Sequence, residues 1–214
     1  MSKRTKLLII VCVYLLAIIS CQGQHNGNTH GNAYSHKHES EIKSNSNFKG
    51  KQNVRIEKPH RISHTYEQTI KGSMVKIMPL YCPVREMDWC ENWNPKAVYS
   101  NSGLVEKDCI FITSHGETDI VWIVTDYDIE KGHVEMVYHV PEVLVTKLEI
   151  QLKPITENKT KAVLTYSKTS LSEEGDRVLE EFAKDEYDIM MDSWEKAMNH
   201  YLETGKMLTG LPNF

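Results

Sequence analysis

The chain has 214 residues, with 25 Lys and Arg against 29 Asp and Glu and a formal net charge of −4. Residues 1–21 hold Lys3, Arg4 and Lys6 and no acid, so their removal takes −4 to −7. A mildly acidic protein is a poor partner for nucleic acid, whose phosphates call for a basic face.

The N-terminus reads MSKRTK and then LLIIVCVYLLAIIS, three positive charges before an almost wholly apolar run. That is the pattern of a secretory signal. The run is shorter than the roughly 20 residues a helix needs to span a bilayer, and no charged stop-transfer flank follows. Residues 18–21, Ile-Ile-Ser-Cys, resemble a bacterial lipoprotein processing box. Cys21 is then the expected lipidation site, anchoring an exported protein to a membrane of the cell envelope by about 0.8 kcal/mol per buried methylene. An ordinary signal peptide cut nearby is the alternative.

Residues 22–60 are rich in Asn, Gly, Ser, His and Lys, with hardly a large apolar side chain. Such a segment cannot bury enough surface to offset its ordering entropy, and it is expected to be a disordered tether. Its His25, His30, His36 and His38, beside Glu39, are of a type that binds transition metals, but their spacing matches no closed site. The reading is a polar spacer, with no metal and no cofactor assigned.

Residues 61–209 are about enough for one domain with a substantial core. From Arg61 the sequence alternates, with Ile62, His64, Tyr66, Gln68 and Ile70 on one side of a first strand. Ser73 is placed to cap a short helix, and Pro79 and Pro83 limit helix to short pieces. Strands are then predicted near 97–100, 109–113, 119–126, from His133, from Val143 and from Lys161, with turns at 127–132 and 157–160. Short polar connections make these an antiparallel meander. Between Leu171 and Leu208 apolar residues recur at three and four, predicting one long amphipathic helix with a capping box at Ser170 and Glu173 and a stop at Gly205. The class is α+β.

This order, with the stretches LYCPVREMDWCENWNP, SNSGLVEKDCIFIT, LSEEGD and SWEKAMNHYLETGKML, resembles the START-like (SRPBCC) superfamily, and in particular small bacterial members related to polyketide cyclases and lipid-transfer proteins. The resemblance covers about residues 61–209. It implies a helix-grip fold, a curved antiparallel sheet wrapped around a long C-terminal helix and a deep apolar cavity that binds a lipid, sterol or polyketide-like compound. It implies a pocket more strongly than an activity.

Tyr81 to Pro95 carries two cysteines and two tryptophans. Were Cys82 to Cys90 one continuous helix, eight residues at about 1.5 Å each would hold the thiols beyond disulfide reach. A bridge needs the chain to fold back, and Cys82, Cys90 and Cys109 allow at most one pair. The segment reads best as a pocket wall, with Arg85, Glu86 and Asp88 as its charged face. The expected ligand-binding residues are Trp89, Trp93, Phe111, Trp122, Tyr138, Met190, Trp194 and Met198, which also suit plain core packing. His133, Glu135 and His139 share one strand face and could pair an acid with a base, but the apolar alternation turns that face to solvent. His115 and Glu117 fall in a turn where polar residues are ordinary. The expected function is carriage of a hydrophobic small molecule. Its rivals are a cyclase or dehydratase using the same cavity, and a metal-binding or interaction lipoprotein acting through the tether.

Overall fold

A computed structural model describes residues 58–115 and 118–212. The leader with Cys21, the tether residues His25, His30, His36, His38 and Glu39, and Glu117 lie outside the described residues.

Strand β1 (Arg61–Ile70) places Ile62, His64, Tyr66, Gln68 and Ile70 on its more buried side, as the alternation predicts. Helix α1 (Met74–Ile77) and two 3-10 turns, Met78–Tyr81 and Glu86–Asp88, follow. Then come β2 (Ala97–Tyr99), β3 (Ile110–His115), β4 (Thr118–Asp128), β5 (His133–Val140), β6 (Leu144–Thr156) and β7 (Lys159–Ser170). The seven strands form one antiparallel sheet in the order β1-β7-β6-β5-β4-β3-β2. Every consecutive pair is a hairpin except β1 and β2, which are the two edges. The segment from 71 to 96 therefore crosses the full width of the sheet.

The C-terminal part is two helices rather than one: α2 (Glu173–Glu181) and α3 (Lys184–Thr204). The apolar spacing runs through the junction, so periodicity alone does not show the break. Phe182 and Ala183 leave the helical region (ψ of 68° and 144°), and the Phe182 carbonyl lies 2.7 Å from His64 Nε2 on β1. Ser172, not Ser170, caps α2 by accepting from the Gly175 amide. Gly205, at φ 67°, ends α3 as expected.

The sheet wraps α3. Gln68 donates to the Met191 carbonyl at 2.7 Å and accepts from the Tyr81 hydroxyl at 3.0 Å, while Tyr187 on α3 donates to the Leu164 carbonyl at 2.8 Å. These bonds satisfy polar atoms that burial would otherwise leave costly. Together with the antiparallel topology they define the helix-grip fold. A bulge between Val124 and Asp126 adds Thr125 to β4 and reverses its alternation, so Tyr127 rather than Asp126 opposes buried Val134.

Candidate functional site

Directly opposite residues on neighbouring strands share a face of the sheet. One such row runs Phe111, Trp122, Tyr138, Thr146, Lys168, Ile62 across β3, β4, β5, β6, β7 and β1. It starts aromatic: Phe111 stacks on Trp122 at 5.4 Å, and Trp122 meets Tyr138 at 4.4 Å. It turns polar in the middle, with Thr146 and Lys168.

Over this row lies a cavity of about 290 Å³. The sheet supplies Trp122, Tyr138, Tyr166 and Lys168, and the α2–α3 break supplies Phe182. Helix α3 adds Met190, Ser193, Trp194 and Ala197, and the 71–96 crossing adds Cys90 to Trp93. Leu211 and Pro212 complete the wall, beyond the expected domain end at 209. The tail that carries them is tied down by the Gly210 amide, which donates to Glu91 Oε2 at 2.7 Å. The volume is at the lower end of the roughly 300–1,000 Å³ usual for small-molecule sites. It suits a compact ligand or one end of a longer one.

Of the eight residues expected to bind ligand, Trp93, Trp122, Tyr138, Met190 and Trp194 line this cavity. Trp89, Phe111 and Met198 are buried in the core behind it. Trp89 supports the lining by setting its ring edge-on to Trp194 at 5.8 Å and donates to the Leu80 carbonyl. Trp93 is fixed by a 2.7 Å bond to the Pro83 carbonyl, and Trp122 by one of 3.0 Å to Thr113. The indole nitrogens of Trp93 and Trp122 are thus satisfied by the protein, leaving apolar ring surface to the cavity.

One placement differs from the sequence expectation. Glu86 is not part of a charged face: it is 6% exposed, and burial pushes its carboxyl up to about 8. Arg85 and Asp88 do form that charged face and pair at 2.7 Å. Cys82, Cys90 and Cys109 are all free thiols, and burial pushes that of Cys90, which lines the cavity, up to about 12.

His133 and Glu135 lie on the opposite face of the sheet. There His133 meets Asp126 at 2.8 Å, and Lys147 bridges Glu135 and Glu149 at 3.0 Å each. His139 is exposed on the same side. This is a surface network, away from the cavity. Among the described residues no cluster of His, Cys, Asp and Glu could hold a metal ion.

Sequence reasoning missed Lys168, which lines the cavity, and Thr146, which is buried opposite it on β6. Both could have been found by parity: Ala162, Leu164, Tyr166 and Lys168 share one side of β7, and Leu144, Thr146, Leu148 and Ile150 one side of β6. A lysine and a threonine on otherwise apolar faces are the signal. Lys168 is half-buried, and desolvation lowers its ammonium to about 8. Its Nζ sits 3.9 Å from the centroid of the Phe182 ring. Among the described residues no carboxylate stands within ion-pair distance of it. Thr146 Oγ1 is buried without a hydrogen-bond partner. It is near enough to Tyr138 to temper slightly the rise that burial imposes on that phenol, yet makes no bond of ordinary geometry.

No protein-family model and no curated protein matches the sequence. Solved structures do. The truncated norcoclaurine synthase of Thalictrum flavum superposes with a TM-score of 0.54 at 8% identity, over 71% of this chain and 99% of that one. The same plant enzyme in complex with dopamine and hydroxybenzaldehyde gives 0.50 at 11% identity, over 68% and 89%. At such identities the likeness shows the fold alone. The chain has the helix-grip fold of the START-like and birch-pollen-allergen-like proteins.

Proposed function

We propose that the domain binds or carries a compact hydrophobic small molecule in the cavity between the sheet and α3. The observation that carries this reading is the enclosure of about 290 Å³ largely by aromatic and Met side chains, with the indole nitrogens of Trp93 and Trp122 already bonded to the protein. Such a surface gains about 25 cal/mol per Å² when an apolar ligand displaces water from it. A fold of this shape holding dopamine and hydroxybenzaldehyde in the plant enzyme supports a small-molecule site here. The leader and Cys21 complete the reading as an exported, membrane-anchored carrier. Among the described residues no helix is long and apolar enough to cross a membrane.

The test compares two tryptophans. Trp194 lines the cavity, whereas Trp89 is fully buried. Binding of the neutral fluorophore N-phenylnaphthylamine is measured beside urea unfolding. Trp194→Ala should weaken binding about tenfold, equivalent to about 1.4 kcal/mol, with a stability loss well below the roughly 3–5 kcal/mol of a buried Trp→Ala. Trp89→Ala should show the full stability loss. Equal losses of binding and stability in Trp194→Ala would make it plain core and contradict the reading.

A further inference from the structure

We propose that the cavity's ligand carries one carboxylate, paired with Lys168 Nζ while its apolar body lies against the aromatic lining. The inference deepens the carrier reading and rests on it. Its starting point is an imbalance: the ammonium of Lys168 lines an otherwise largely apolar cavity, covered on one side by the Phe182 ring, and among the described residues no carboxylate stands within ion-pair distance of it. A carboxylate accepts the charge-assisted hydrogen bond that an ammonium donates.

One positive charge suits one negative charge. A dianionic phosphate would leave uncompensated charge in an apolar enclosure, which is strongly unfavourable. The Phe182 ring covers one side of Nζ, and a ring face favours the ammonium form. The neighbouring row members Trp122 and Tyr138 continue the cavity away from the charge, as the body of an amphipathic acid requires.

The groups around Lys168 leave it as the cation that responds to ligand. On its own strand Tyr166, and on β5 Tyr138, are buried phenols held neutral by burial. On β1, His64 is engaged with the Phe182 carbonyl. Across the cavity, the Cys90 thiol is held protonated, and Glu91 is engaged by the Gly210 amide. Glu86, behind Tyr166 and Cys90, titrates near the same pH as Lys168 and must be controlled for.

Because desolvation lowers the free ammonium to about 8, carboxylate binding draws a proton onto Lys168 above that pH. Affinity for an acid should then fall by about tenfold per pH unit above about 8, whereas affinity for its ester should not.

The test uses the full chain and two probe pairs, decanoic acid with methyl decanoate and naphthoic acid with methyl naphthoate. Binding is followed by tryptophan fluorescence and calorimetry from pH 6.5 to 9.5. The expected result is that at least one acid binds about tenfold or more tighter than its ester at pH 7. That preference should disappear in Lys168→Met and persist, with its pH dependence, in Glu86→Gln. Esters that bind as well as acids, or a preference unchanged in Lys168→Met, would overturn the inference and leave the carrier reading standing. Binding of none of the four probes would count against both. A thermal melt of Lys168→Met guards against misfolding, and Lys168→Arg, which keeps the charge, should retain preference for the acid at pH 9.5.

Discussion

Two ionisable side chains are held where water would normally solvate them, and each makes stability depend on pH in its own direction. Burial raises Glu86 from its ordinary 4.5 to about 8. Between those values the unfolded chain has released a proton that the folded protein keeps, so stability falls as pH rises, by roughly 3–5 kcal/mol in all. Glu86→Gln keeps the shape and removes the titration. It should therefore be more stable than the parent at pH 8.5 and little different at pH 4.5, measured by urea unfolding; a difference that does not change with pH would show that the carboxyl is not desolvated. Lys168 works the other way. Lowered from 10.5 to about 8, it costs stability throughout the range below 8, and the cost fades as pH rises toward 10.5. Lys168→Met should stabilise the protein at pH 7 by up to about 3 kcal/mol, less the part that solvent screens at a half-buried site. A destabilised Lys168→Met would mean that the ammonium is well compensated. That a ligand-facing residue weakens the empty fold is an ordinary feature of binding sites, where stability yields to function.

At the scale of elements, the α2–α3 break and the start of α2 carry the most structural information. The break turns Phe182 into the cavity and under Lys168, and His64 holds it there. His64→Ala should speed amide exchange around residues 182–187 while residues 190–202 of α3 stay protected; uniform change along α3 would show that the break is set by the helix itself. Gly175, in the first turn of α2, lies against the β5–β6 connection so closely that a Cβ would stand 2.1 Å from the Val143 carbonyl oxygen. Gly175→Ala should cost about 1–3 kcal/mol or more in urea unfolding, and a near-neutral effect would mean that α2 can shift freely. Much of this level was legible in the sequence. The alternation of Ile62 to Ile70, the strands of the meander and the Gly205 stop follow from period, turn residues and a left-handed cap. The helix break was not, because Phe182 and Ala183 continue the apolar spacing and the bond that ends α2 comes from a strand more than a hundred residues earlier in sequence. The β4 bulge likewise depends on pairing rather than on local residue type.

For the whole molecule, the sheet, the 71–96 crossing, α3 and the C-terminal tail each contribute one wall of a single enclosure. The aromatic lining could be foreseen because Trp93, Trp122, Tyr138, Met190 and Trp194 are large or adaptable side chains of the kind that suits an irregular apolar ligand. What separates them from Trp89, Phe111 and Met198 is depth, which a sequence does not encode residue by residue. Glu86 reads as surface from its place between Arg85 and Asp88, and only the folded path of the crossing buries it. The membrane reading makes a prediction at this same scale. Cys21→Ser should move the protein from the membrane to the soluble fraction of an expressing bacterium, and an unchanged distribution would contradict a lipid anchor. The most direct measurement of the central proposal is native mass spectrometry, with organic extraction, of the full-length Cys21→Ser chain purified without detergent. The account predicts a stoichiometric apolar adduct that is diminished in Trp194→Ala. A clean unliganded mass, unchanged after incubation with fatty acids, sterols and aromatic polyketides, would contradict it.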